Sequence, residues 1–246
     1  MNSETVEIHN LVPSTDLTPA REAWLVNGLV EALPNLKMRE LFSLRRDMFT
    51  EADLVTVAVS QPGVVVGALS SKWVTSPTGD RFLHVTTQFV GDGYRHGVVF
   101  RQSWTAHLTA LCGDPSGFPP LIVLKTYNPR VFCAMQSFAQ VPGVSFYPTV
   151  DGDKPNAEAA RLAGHVARTI APEYPFNPVT GVISGVGVPH DLYPDLPMSK
   201  NAVVNDFFAG ATRPGDRVLC MLMVSMSQAA SAVMQYFAQP RRSPAA

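Results

Sequence analysis

Apolar positions along this chain switch between helical spacing, strand-like runs and polar breaks, and the switches mark its elements. Leu25, Leu29, Leu33 and Leu36 recur at helical spacing behind Thr18-Pro19, a possible cap with proline at the first helical position. A second short helix is expected after Pro34, through Leu41 and Leu44. Leu54 to Val59 and Val64 to Leu69 are β-rich runs either side of the turn signal Ser60-Gln61-Pro62-Gly63, which predicts an antiparallel hairpin. Ser76-Pro77-Thr78-Gly79-Asp80 repeats that logic before Phe82 to Val90, so three sequential strands form a meander.

Phe100, Trp104, Leu108 and Leu111 then make one face of a helix that Gly113-Asp114-Pro115 ends. Leu121 to Leu124 is an unbroken apolar run, as in a strand covered on both faces. Behind it Asn128 can cap and Pro129 can open a helix with Val131, Phe132, Met135, Phe138 and Ala139 on one face. Val144 to Tyr147 reads as a strand and Asn156 to Ile170 as a helix with Leu162, Val166 and Ile170 inward. Residues 172–197 are rich in proline and glycine, an irregular segment of the kind that shapes a cleft. Arg217 to Val224 is a buried strand by composition and Met226 to Phe237 a last helix. The expectation is one domain over 1–246, with 151–216 a helix plus a long irregular insertion and 238–246 a flexible tail.

With 46% hydrophobic and 16% charged residues the chain is compact rather than disordered. A net charge of −1 leaves no surplus of Lys and Arg for nucleic acid. Cys112, Cys133 and Cys220 are odd in number and widely spaced, which argues against a disulfide framework or a thiolate zinc site. The polar start Met1-Asn2-Ser3-Glu4 carries no apolar leader, and Ser225, Ser227, Gln228 and Ser231 interrupt the uncharged stretch from Val218 to Met234. A cytoplasmic protein without membrane contact is the expectation.

The strand Phe82 to Val90 runs into Gly91-Asp92-Gly93-Tyr94-Arg95-His96-Gly97 and then a helix. Glycine amides and a guanidinium at a helix mouth suit a phosphorylated ligand. The plainer alternative is a solvated basic turn in which the glycines supply positive φ. His84 lies four residues before Gln88 on one strand face, where it could deprotonate an amine or simply pack in the core. Tyr127 and Tyr147 are proton-donor candidates or packing tyrosines, and His107, between Trp104 and Leu108, reads as structural. Ser184 lacks the spacing of a nucleophile elbow, His165 and His190 lack metal-helix spacing, and no Walker-type phosphate loop occurs.

The order of two helices, three antiparallel strands, glycine loop, helix, strand, Asn-capped helix and strand resembles the GNAT superfamily of acetyl-CoA-dependent N-acetyltransferases. The resemblance covers residues 15–150, with Arg217 to Val224 as a last strand. Against that family's loop V-x-P-x-Y-R-G-x-G-x-G, Val90, Tyr94 and Arg95 fall in register; Asp92 stands for proline, His96 for the first glycine, and the segment is one residue short. The family's leaving-group tyrosine would fall at Met135.

The resemblance implies an α+β fold, a mainly antiparallel twisted sheet flanked by helices with a C-terminal extension. It implies acyl transfer to a small-molecule amine from acetyl-CoA or another acyl-CoA, or from acyl-phosphopantetheine on an acyl-carrier protein, without a metal. The implied cofactor contacts are Phe89, Val90, Gly91, Gly93, Arg95, His96, Gly97 and Asn128, the main chain of Thr86 to Val90 serving the thioester and pantetheine; His84, Gln88 and Tyr127 are the catalytic candidates. Met221-Leu222-Met223 and residues 172–197 are candidates for lining an acyl pocket. The alternatives are a GNAT-like binding module without catalysis and a GNAT-like acyl-thioester decarboxylase. Acceptor, acyl length and oligomeric state stay open.

Overall fold

The computed structural model describes residues 5–61, 63–94, 99–113, 117–150, 156–225 and 227–238. The N-terminal half runs β1 (Val6–Leu11), α1 (Pro13–Asp16), α2 (Pro19–Ala32), α3 (Met38–Leu44), α4 (Asp47–Thr50), β2 (Leu54–Ser60), β3 (Val64–Thr75) and β4 (Arg81–Val90). It continues through α5 (Val99–Cys112), β5 (Leu121–Thr126), α6 (Pro129–Gln136), β6 (Val144–Tyr147) and α7 (Ala157–Ile170). The last elements are β7 (Val182–Ile183), α8 (Ala202–Ala211), β8 (Arg217–Val224) and α9 (Ser227–Ala238).

The caps act as expected. Thr18 accepts from the Arg21 amide with Pro19 at the first helical turn, Asn128 accepts from Arg130, and Asn156 from Glu158. The strands form one open sheet in the order β1-β2-β3-β4-β5-β8-β6, with β7 beside β8. All pairings are antiparallel except β4 with β5. Helix α5 makes the crossover between that parallel pair, so both strand ends point to one rim of the sheet.

Side-chain alternation splits the sheet into two covered faces. On one, Leu83, Val85, Ile122 and Leu124 pack on Trp104, Leu108, Phe132 and Phe208 from α5, α6 and α8. On the other, Val55, Val57 and Val65 meet Leu25 and Leu29 of α2, while Leu121, Val123 and Met221 meet Ala163 and Val166 of α7. The two covers on this second face are separate clusters, and the gap between them lies over β4.

Several expectations change. Strand β1 extends the meander by one strand at its edge, pairing with β2 from Val6 opposite Ser60 to Leu11 opposite Val55. Helix α8, capped by Asn201, stands inside the segment read as irregular. Met221 and Leu222 are at most 1% exposed and belong to the cores on opposite faces of β8, so they line no acyl pocket. The inward face of α7 is Ala163, Val166 and Ala167, with Leu162 and Ile170 at its edges.

Candidate functional site

Strands β4 and β5 stay together for only three residue pairs, Leu83 with Ile122, His84 with Val123 and Val85 with Leu124. Beyond them β4 keeps its partner β3 as far as Val90 opposite Gly67, and β5 keeps β8 through Thr126 opposite Val218. Over Thr86 to Val90 the edge of β4 facing away from β3 therefore has no partner strand. The cause is local: Ser70 pairs with Thr87 and Ser71 with Val85, so Thr86 is an extra residue, a β-bulge that bends β4. The bulge is tied at its centre, where the hydroxyls of Ser70 and Thr86 lie 2.7 Å apart.

The opening between the strands is a cavity of about 130 Å³. Thr86, Gln88 and Phe89 form one wall, Lys125 and Tyr127 the other, and Arg45 of the α3 C-cap with Tyr193 and Arg217 closes it from above. Phe89 is held by the edge of Phe42 from α3, with ring centroids 6.5 Å apart. Gln88 Oε1 and Thr87 Oγ1 are buried and find no hydrogen-bond partner. Unsatisfied polar atoms cost free energy in a fold and mark a place where a ligand can supply what is missing.

Electrostatics in the opening are one-sided. Burial, aided by Arg45, Arg217 and Lys72, pushes the Lys125 ammonium down to about 8. Burial holds the Tyr127 phenol above its ordinary value, with the nearby Arg217 charge working against it. The Arg217 guanidinium lies over the Tyr127 ring, 5.6 Å from its centroid, and Tyr193 stacks 6.0 Å from Tyr127 on a tilt.

The expected site residues divide. Gln88, Phe89 and Tyr127 line the cavity. His84 lies one layer beneath, 6% exposed, opposite Lys72 on β3 and Val123 on β5, with neither ring nitrogen hydrogen-bonded. Burial, then Lys125, Lys72 and Arg45, hold it well below the usual histidine range. Val90 packs with Ala58, Val66 and Val99. The Gly91 amide donates to Val66 O at 2.7 Å, which commits it to the sheet, and a Cβ there would stand 3.0 Å from that of Ala32. Gly93 faces open space, and neither glycine has positive φ. Asn128 spends its side chain on the α6 cap. Arg95, His96 and Gly97 lie outside the described residues.

Tyr147 donates its hydroxyl to Pro178 O at 2.7 Å and Met135 is buried in the core, so neither serves the cavity. Among the described residues no group of three His, Cys, Asp or Glu could hold a metal ion. None of their helices is long and apolar enough to cross a membrane.

Arg45, Lys125, Tyr193 and Arg217 did not emerge from sequence patterns. Lys125 carried the one usable signal, a lone charge inside the run Leu121 to Thr126. Arg217 opens an apolar strand, where a basic residue reads as an ordinary solvated end.

The sheet is open and mostly antiparallel, flanked by helices, with one parallel pair that parts at its C-terminal ends, which is the α+β architecture the sequence resemblance implied. No family model matches the chain, and no curated protein does. Among solved structures, a GNAT family N-acetyltransferase from Escherichia coli in complex with CoA is 19% identical, over 50% of this chain and 64% of that one, with a TM-score of 0.36. A GNAT family acetyltransferase from Brucella melitensis in complex with acetyl-CoA is 15% identical, over 49% and 75%, at 0.35. A GNAT-family structure from Desulfovibrio desulfuricans covers 90% of this chain and 100% of its own at 11% identity and a TM-score of 0.40. The chain thus spans just under two thirds of the Escherichia coli structure, and likeness at this level says nothing about substrate.

Proposed function

We propose that this chain is an acyltransferase that receives a pantetheine thioester between β4 and β5 and passes its acyl group to an amine. The observation that carries the reading is the parting of the strands beyond Val85 and Leu124, with a cavity in the gap and an unpaired backbone edge along Thr86 to Val90. Such an edge can hydrogen-bond the amides of a pantetheine arm and polarise a thioester carbonyl.

The amine attacks the thioester carbonyl, a C–N bond forms, the C–S bond breaks, and the sulfur leaves with a proton. Tyr127 fills the acid's role: its phenol stays protonated at neutral pH and faces the cavity. The proton of the attacking amine leaves to solvent at the open mouth of the cavity; His84, beneath the cavity wall and held well below the usual histidine range by burial and by Lys125, Lys72 and Arg45, is too weak a base to take it.

The described part of the glycine loop favours a carrier protein over CoA as donor. The Gly91 amide is already engaged with Val66 O, so it has no hydrogen to offer a diphosphate. Thermal unfolding with acetyl-CoA, longer acyl-CoAs and free CoA, beside acyl turnover from a loaded carrier protein, separates the donors, because a ligand of the native state raises the midpoint. Tyr127→Phe is expected to lower kcat about 100-fold with an unchanged midpoint. Neither a shift nor turnover would overturn the reading and leave a binding module; release of carbon dioxide without an acceptor would replace transfer by decarboxylation.

A further inference from the structure

The cavity carries a charge pattern that acyl transfer by itself does not need. Three cations, Arg45, Lys125 and Arg217, line it, and no Asp or Glu among the described residues does. Arg45 is the most committed, with Asp47 at 3.4 Å, in a half-exposed pair of little strength. Lys125 has no hydrogen bond or ion pair among the described residues, and Arg217 has no carboxylate within 4 Å. The nearest acid in sequence, Asp216, has both oxygens engaged by backbone, one accepting from the Gly185 amide of the segment after β7 at 2.8 Å and the other from the Arg213 amide of its own loop at 2.9 Å. Lys72, next along the same face, is paired with Glu51 at 3.2 Å.

Space for Arg217 is built into the chain. Its guanidinium lies flat against Gly187, where any Cβ would collide with it, and one of its nitrogens donates to Asp216 O. Tyr127 covers its other side. A guanidinium so enclosed spends one donor on Asp216 O and turns the rest of its fork to the cavity it lines. Below the same wall, both nitrogens of His84 lack partners. Half-buried cations without counter-ions cost stability, and a bound anion removes that cost. The cavity lining includes none of Gly91 to Tyr94, so this is not the place for a diphosphate at the mouth of α5.

We infer that the acceptor is an amine that also carries a carboxylate, gripped by Arg217 and Lys125 with Arg45 beside them, and that polycationic amines are turned away. The word acceptor rests on the transfer reading; the anion site does not. A planar guanidinium fork matches a carboxylate in two hydrogen bonds, and an ammonium adds a point charge. Spermidine in the same place would face three like charges without a carboxylate to offset them.

Calorimetric binding to the full chain, without any thioester, tests the site with glutamate, glycine, glycinamide and spermidine. Glutamate is expected to bind most tightly, glycine next and glycinamide and spermidine at least ~tenfold more weakly, with the preference eroded by salt. Arg217→Gln and Lys125→Met should each weaken glutamate at least ~tenfold. Lys125→Met should also hold or raise the thermal midpoint of the empty protein, since it removes an uncompensated charge. Spermidine binding as well as glutamate, or wild-type glutamate affinity in both variants, would overturn the inference, as would a lowered midpoint for Lys125→Met. A chain that binds glutamate in this Arg217-dependent way but no acyl thioester would keep the anion site while removing the transfer reading.

Discussion

Among single residues, His107 shows most directly how this sheet holds its main helix. It is fully buried on α5, and burial lowers its imidazole to about 3. Ser71 Oγ lies 2.7 Å from its Nε2 and Thr56 Oγ1 2.8 Å from its Nδ1, while Thr56 gives its own proton to Asn10 Oδ1 at 2.6 Å. The tautomer follows: Nδ1 donates to Thr56 and Nε2 accepts from Ser71. The relay ends where Asn10 Nδ2 donates to Ala106 O, so α5 is pinned to β1, β2 and β3 by one chain of hydrogen bonds. With a folded value near 3 against about 6.5 unfolded, the unfolded state binds more protons between those limits. The stabilisation is thus complete above about pH 6.5 and is lost as pH falls toward 3, by at most ~1.4 kcal/mol per pH unit for this group. His84 shifts in the same direction and steepens the fall. Replacing His107 by Leu should cost ~2–4 kcal/mol at pH 7.5 by stranding two hydroxyls. Urea unfolding should find that gap narrower by about 2 kcal/mol at pH 5. Sequence identified His107 as structural from its apolar neighbours, but its partners are 36 and 51 residues away and could not be read.

At the scale of elements, one added residue decides whether a cleft exists. Thr86 interrupts the ladder of β3 and β4, and the bend takes β4 off β5 three pairs after they meet. Because the bulge absorbs the extra residue, deleting Thr86 leaves every other side chain of β4 on its present face. The deletion variant should therefore unfold cooperatively, with at most ~2 kcal/mol lost, yet show no thermal shift with any thioester that stabilises the wild type. Ser70→Ala, which removes only the hydroxyl at the centre of the bulge, should weaken the ligand shift without abolishing it. A deletion variant that still binds would show that the opening does not depend on the bulge. Strand β4 itself was plain in the run Phe82 to Val90, since β-branched and aromatic residues fill a pleated surface. The bulge was not, because Thr86-Thr87 fits a regular ladder as well as an irregular one. Strand β1 was hidden for the opposite reason: at the sheet edge only Leu11 is fully buried, and the apolar face that Val6 and Ile8 lay against Ala58, Val66 and Val99 is just two residues long.

Across the whole molecule, the cleft is closed by chain that lies far from it in sequence. The segment from Val186 to Tyr193 crosses from the β7 side to α3: Lys37 at the α3 N-cap donates its amide to Leu192 O at 3.3 Å, and its ammonium pairs with Asp191. Proline and glycine in 172–197 announced an irregular segment that lines a cleft, and that much was legible. Its landing point was not, because one leucine seated in a distant cluster leaves no periodic trace. Leu192 is 5% exposed and joins the core of α2, α3 and β2, so it is the anchor that holds this wall. The ion pair beside it is open to solvent and screened. Leu192→Ala should lose ~2–5 kcal/mol, a fall of several degrees or more in Tm, and should weaken glutamate binding by freeing the wall that positions Gly187 against Arg217. Asp191→Asn should change neither measurably. If the charge change proved the more damaging of the two, the wall would be held by electrostatics at its surface, and the anion site behind Gly187 would respond to salt through its scaffold as well as through its ligand.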